Sequence, residues 1–226
     1  MADAEHRGYI GTALAVSATT GVYGISFGAL AVAAGLSVAK ACALSALVFT
    51  GGSQFAAVAV IAAGGTMPTA IGNALLLGGR NIAYGFVTAP ILRAMPLGRR
   101  IVATQLVIDE TTALASAQST PRAARGAFLL TGIALFTCWN LGTLVGAAAG
   151  DHIGDPGTYG LDAMFPAAFV ALLAPQLRRP GAPGAAITGA CIALALLPFA
   201  PVGVPVLASV LGLLVAMRTR PGSDGP

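Results

Sequence analysis

Apolar residues run through this chain in long tracts broken by short polar loops, with neither the alternation of a half-buried strand nor the single stripe of a surface helix. The longest uncharged tracts are Gly8 to Ala39, Ala41 to Gly79, Gly126 to Gly150 and Pro180 to Met217. A helix needs about 20 mostly apolar residues to cross a bilayer, so two of these tracts hold room for two crossings each. The pattern predicts an all-α fold, a polytopic transmembrane helical bundle forming one membrane domain over residues 1–226. Loop punctuation places its spans near 10–34, 41–63, 69–92, 126–149, 161–177, 183–199 and 203–218. Gly21, Gly24 and Gly28 make the first tract a candidate for a broken helix.

Residues 101–118 are the ambiguous stretch, and charge decides their reading. Cytoplasmic loops of membrane proteins are enriched in Lys and Arg. With 101–118 as a re-entrant or interfacial helix, seven spans put Lys40, Arg93, Arg99, Arg100, Arg122, Arg125, Arg178, Arg179, Arg218 and Arg220 inside and leave only Arg7 outside. The alternative of eight spans would strand three more arginines, Arg93, Arg99 and Arg100, on the outer side.

Composition narrows the function classes. The chain is 56% hydrophobic and 9% charged, against about a quarter charged for a soluble domain. The net charge of +4 comes from short inter-helix loops rather than a basic face interleaved with aromatics, so no nucleic-acid partner is expected. Cys42, Cys138 and Cys191 stand far apart within apolar tracts, and His6 and His152 fall outside the spans. Neither a metal site nor a disulfide framework follows, and no cofactor motif is present. The first tract is too long for a cleaved secretory leader and reads as a retained span.

Polar groups inside a bilayer are costly and mark function by default. Five places qualify. Gly51, Gly52, Ser53, Gln54 and Phe55 follow Thr50 in the middle of the 41–63 tract, where paired glycines weaken the helix. A half-helix starting at Ser53 would aim its positive end at a carboxylate in mid-membrane. The other reading is close helix packing, with Gln54 bonding a neighbour. In the 69–92 tract Asn73, Arg80 and Tyr84 are seven and four residues apart and would share a helical face. Arg80, roughly mid-span, pairs with Asp109 or Glu110, grips a substrate carboxylate or snorkels, the last being the weakest reading because the nearer end is about ten residues away.

Asp109 and Glu110 are adjacent acids in an otherwise apolar run. Burial raises a carboxyl pKa and a nearby arginine lowers it, which suits a proton-coupling pair, whereas an interfacial helix would leave both acids in water. Trp139 and Asn140 precede Gly142, Gly146 and Gly150, a small-residue ladder for packing in which Asn140 is a weak site candidate. Asp162 heads the 165–169 stretch, as a helix cap or a site residue.

Gly51 to Phe55, Arg80 with Tyr84 and Gly85, Asp109 and Glu110 before Ala113 and Leu114, Trp139 with Gly142, Thr143 and Gly146, and Gly160 to Asp162 before Phe165 and Phe169 resemble the AzlC family in this order. The resemblance implies the large subunit of a bacterial branched-chain amino acid exporter, associated with azaleucine resistance. It implies a multi-pass protein of the inner membrane, working with a small AzlD-type partner of about four spans. The implied cargo is valine, leucine and isoleucine, with methionine also in range. Family members often carry Asn two residues before the arginine and His after it, where this chain has Gly78 and Asn81.

On this reading Gly51, Gly52, Ser53, Gln54, Phe55, Arg80, Tyr84 and Phe27 bind the cargo, and Asp109 and Glu110 exchange the proton. The rival is a scaffold or channel subunit of a membrane complex, which the glycine ladders would also suit. An intramembrane enzyme would need a nucleophile or metal ligand set beside the acids, and none is present, so no enzymatic activity is expected.

Overall fold

The computed structural model describes residues 2–152, 170, 173–174, 176–178 and 181–214. Every regular element among them is helical. Ten helices follow in chain order: α1 (Ala2–Ala33), α2 (Val38–Val48), α3 (Gly52–Ala62), α4 (Met67–Gly78), α5 (Arg80–Arg93), α6 (Leu97–Thr104), α7 (Asp109–Ser116), α8 (Pro121–His152), α9 (Ala182–Leu196) and α10 (Val204–Ala208). A 3₁₀ turn over Ser209–Gly212 continues α10.

Among the described residues two helices are long and apolar enough to cross a membrane, Tyr9–Ala33 within α1 and Pro121–Gly150 within α8. They pack along each other as the spine of the fold. Gly21, Gly24 and Gly28 face Cys138, Trp139 and Thr143, while Gly142 and Gly146 face Gly21 and Ile25. A Cβ on Gly24 would lie 2.6 Å from the Trp139 carbonyl oxygen, so only glycine allows this approach. The break expected in the first tract is therefore absent. Its glycines are three and four residues apart, share one face and are used for contact with α8.

The remaining apolar tracts are interrupted. The 41–63 tract forms two 11-residue helices, α2 and α3, instead of one continuous helix. The 69–92 tract is bent by 42° at Gly79, between α4 and α5, and as one bent span it would make a third crossing. Arg80 and Asn73 consequently do not share a face: Asn73 is buried and donates to the carbonyls of Thr69 (2.8 Å) and Gly203 (3.0 Å), tying α4 to the start of α10.

Residues 101–118 form the end of α6 and all of α7. Each is eight residues long, about 12 Å at 1.5 Å per residue against a hydrocarbon core of about 30 Å. Near 203–218 the described chain is the five-residue α10 and the 3₁₀ turn, not one long helix. The expected span at 161–177 and Asp162 lie outside the described residues, apart from short pieces.

One core binds α1 and α8 to the interrupted helices. It joins Phe27, Leu30, Phe49, Phe55, Val58, Leu106, Ile108, Phe128, Leu135 and Trp139. A buried hydrogen bond between Ser45 Oγ and Thr143 Oγ1 (3.0 Å) fixes α2 to α8. This frame positions the helix breaks.

Candidate functional site

Two helix interruptions meet against the spine. The first runs from Phe49 to Gly51. Phe49 has φ of 25°, a strained value for a side-chain-bearing residue, and Gly51 has φ of 60°. Irregular backbone at membrane depth must have its polar groups satisfied within the protein. Gln54, fully buried, does so twice: its Nε2 donates to the Leu44 carbonyl (2.9 Å) and its Oε1 accepts the Gly51 N–H (3.1 Å). Gln105 Nε2 donates to the carbonyls of Ala46 (3.0 Å) and Leu47 (2.9 Å). Arg80 Nη2 donates to the Thr50 carbonyl (3.3 Å).

The second interruption separates α6 from α7. Thr111 Oγ1 donates to the carbonyls of Leu106 (2.6 Å) and Ile108 (3.1 Å) and accepts the Ile108 N–H (3.2 Å). Thr112 Oγ1 also reaches the Ile108 carbonyl, at 2.6 Å. The two threonines hold the start of α7 as Gln54 holds the start of α3.

Between these breaks lies a cavity of about 180 Å³. Its walls are Phe49, Phe55, Ile108, Leu135 and Trp139, with Thr20 and Tyr23 contributed by α1. The aromatic wall is well packed. Phe27 stacks on Trp139 (centroids 5.8 Å apart) and meets Phe55 edge-on (5.5 Å), so Phe27 supports the wall from behind without lining the cavity.

The polar end is built from three helix starts. Gly51 and Gly52 open α3, Arg80 opens α5, and Asp109 and Glu110 open α7. Each helix N-terminus carries roughly half a positive charge and several N–H groups without partners in the helix. The guanidinium lies over the start of α3, since a Cβ on Gly52 would be 3.6 Å from Arg80 Nη2. Positive charge is thus concentrated at this point. Asp109 answers it at 3.7 Å from Arg80 Nη1, and the two side chains remain 44% and 39% exposed respectively. The pair is open to the cavity, so Arg80 can change partners without being extracted from a sealed core.

Residues 15–153 match the AzlC protein family, well over half of the chain. This chain belongs to the AzlC family. It is accordingly a membrane protein of a transport-subunit family, and the membership is consistent with a subunit of a branched-chain amino acid exporter. No curated protein and no solved structure matches the chain.

Within this AzlC chain the structure divides the residues singled out by sequence. Gly51, Gly52, Phe55, Arg80, Asp109, Glu110 and Trp139 come together around the cavity. Ser53 and Gln54 face away from it, toward a mostly apolar groove lined by α2, α3 and α4. Gln54 therefore shapes the break from the far side. Tyr84 is half-buried against the core, and Asn140 donates within its own helix to the Phe136 carbonyl (2.8 Å).

Thr50 also lines the cavity, and so do Thr20, Tyr23, Phe49, Ile108 and Leu135, which carry no signal in the sequence beyond their apolar or weakly polar character. Gln105, by contrast, stands out as an amide in an apolar run. Among the described residues no group of three or more His, Cys, Asp or Glu side chains is placed to hold a metal ion.

Proposed function

We propose that this chain is the large subunit of an exporter for branched-chain amino acids, taking valine, leucine and isoleucine, with methionine also in range, out across the bacterial inner membrane. The observation that supports it is the cavity's two-ended chemistry. Arg80 and the start of α3 make one electropositive point, Asp109 and Glu110 offer acceptors, and Phe49, Phe55, Ile108 and Leu135 supply an apolar wall. An apolar amino acid has the complementary parts: a carboxylate, an ammonium and a branched hydrocarbon side chain.

Binding then proceeds as an exchange of partners. The cargo carboxylate takes the Arg80 guanidinium from Asp109, the ammonium turns to the freed acids, and the side chain packs on Phe55. Because one ammonium answers only one of the two acids, the carboxyl left without a cation gains a reason to take a proton, and cargo exchange at Arg80 is linked to proton exchange at the acid pair. The short helices around the two breaks are the moving parts, working against the α1–α8 spine in alternating access.

In the membrane the single domain over 1–226 threads seven times with its N-terminus outside, and α6 with α7 forms the re-entrant piece. The positive-inside rule supports this arrangement. A small four-span AzlD-type subunit completes the exporter. The test is efflux of valine, leucine and isoleucine from dipeptide-loaded bacteria that lack their own exporters, expressing this chain alone or with the partner. Efflux only with the partner is expected. No efflux from either, with both proteins present in the membrane, would point to another cargo or to the scaffold reading. Glu110→Gln should retain exchange of internal for external valine while losing stimulation by an imposed pH gradient.

A further inference from the structure

Trp139 is 3% exposed and is the chain's one tryptophan. Its ring is explained by packing on Phe27 and Phe55. Its polar atom is not. The indole Nε1 is buried and has no hydrogen-bond partner among the described residues, and neither has the buried Thr50 Oγ1. Both residues line the cavity that holds Arg80. A donor buried without an acceptor is expensive, and most such groups in folded proteins are satisfied.

An indole N–H can only donate, so what completes it must bring an acceptor. Trp139, Thr50 and Arg80 line one cavity, and an indole N–H and a hydroxyl left without partners beside a guanidinium together call for an anion with more than one oxygen. A carboxylate, with two oxygens and about four acceptor positions, fits this set. An amine does not.

We propose that Trp139 Nε1 and Thr50 Oγ1 donate to the carboxylate of the cargo beside Arg80, and so select amino acids over amines with the same side chain. This rests on the transport reading above. It makes Trp139 a recognition residue whose aromatic ring serves the core and whose N–H serves the ligand. The α2–α3 break gains a second use, since it sets Thr50 in the cavity wall in place of an ordinary helical position.

The experiment is uptake of labelled valine by inside-out membrane vesicles carrying this chain with its four-span partner. Isobutylamine, which is valine without its carboxylate, serves as a competitor. Trp139→Phe and Thr50→Val should each raise the KM for valine about tenfold, the scale of a lost hydrogen bond to a charged group, with kcat within about twofold. Weak inhibition by isobutylamine should be unchanged, because it never used these donors, and Thr50→Ser should restore the KM. A KM unchanged in both variants would overturn the proposal while leaving transport intact. If Trp139→Phe is lost from the membrane, the contrast of Thr50→Val with Thr50→Ser decides. Wild-type vesicles that take up no valine would instead remove the transport reading, and this proposal with it.

Discussion

The spine and the interrupted region use the same residue types to opposite ends. α1 and α8 are each 32 residues long and unbroken, whereas none of the six helices from α2 to α7 exceeds the 14 residues of α5. A continuous helix satisfies its backbone internally and can spend its glycines on close contact. A broken one exposes N–H and C=O groups, needs side chains to satisfy them, and leaves some directed at a cavity. Glycine spacing separates the two cases. Gly21, Gly24 and Gly28 lie on one face and pack against α8. Adjacent glycines cannot share a face, and at Gly51 with Gly52, Gly64 with Gly65 and Gly78 with Gly79 the helices stop or bend.

The largest effect expected from this contrast is in the spine. A Cβ on Gly146 would collide with the Ile25 backbone, which has no flexible side chain to give way. Gly146→Leu should cost about 3 kcal/mol or more and remove the protein from the membrane, as quantitative blotting of membrane fractions would show. Normal abundance would mean that α1 and α8 do not depend on this contact.

Smaller and different is the effect expected at the break. Gln54→Leu keeps the volume of a buried side chain and removes its bonds to Leu44 and Gly51. Stability should fall by about 1–3 kcal/mol, read as a lower melting temperature in detergent, with transport reduced because α3 is misplaced. A variant of wild-type stability would show that the break is held by packing alone.

The smallest effect belongs to Gly11 in α1, where a Cβ would meet nothing within 4 Å. Gly11→Ala should stabilise the protein by up to about 1 kcal/mol through helix propensity. Set beside Gly146→Leu, it separates glycines needed for contact from those merely tolerated; destabilisation would break the distinction.

Much of this was legible in the sequence, for reasons that differ by element. The all-helical membrane fold follows from composition and tract length. The break at Thr50, Gly51 and Gly52 and the importance of Arg80, Asp109 and Glu110 follow from the cost of such residues among apolar neighbours. The bend at Gly79 was equally marked, by a glycine pair, yet the tract read as one helix because Asn73, Arg80 and Tyr84 fitted a helical period. Ser53 and Gln54 read as ligand contacts because the motif is continuous in sequence, but successive residues of a helix point in different directions, and these two face the groove behind the cavity. That Trp139, Thr20 and Tyr23 share a cavity with Arg80 depends on the α1–α8 packing, which no local pattern encodes.

The central claim is that Arg80, held at the start of α5 beside Asp109, binds the cargo carboxylate. It is tested most directly by counterflow of labelled valine in proteoliposomes containing the chain and its partner, comparing wild type with Arg80→Ala at equal reconstituted amounts. Counterflow should be present in the wild type and fall by about a hundredfold in the variant, the scale of a lost charge-assisted hydrogen bond to the cargo. An Arg80→Ala protein that exchanges valine as the wild type does would contradict the account.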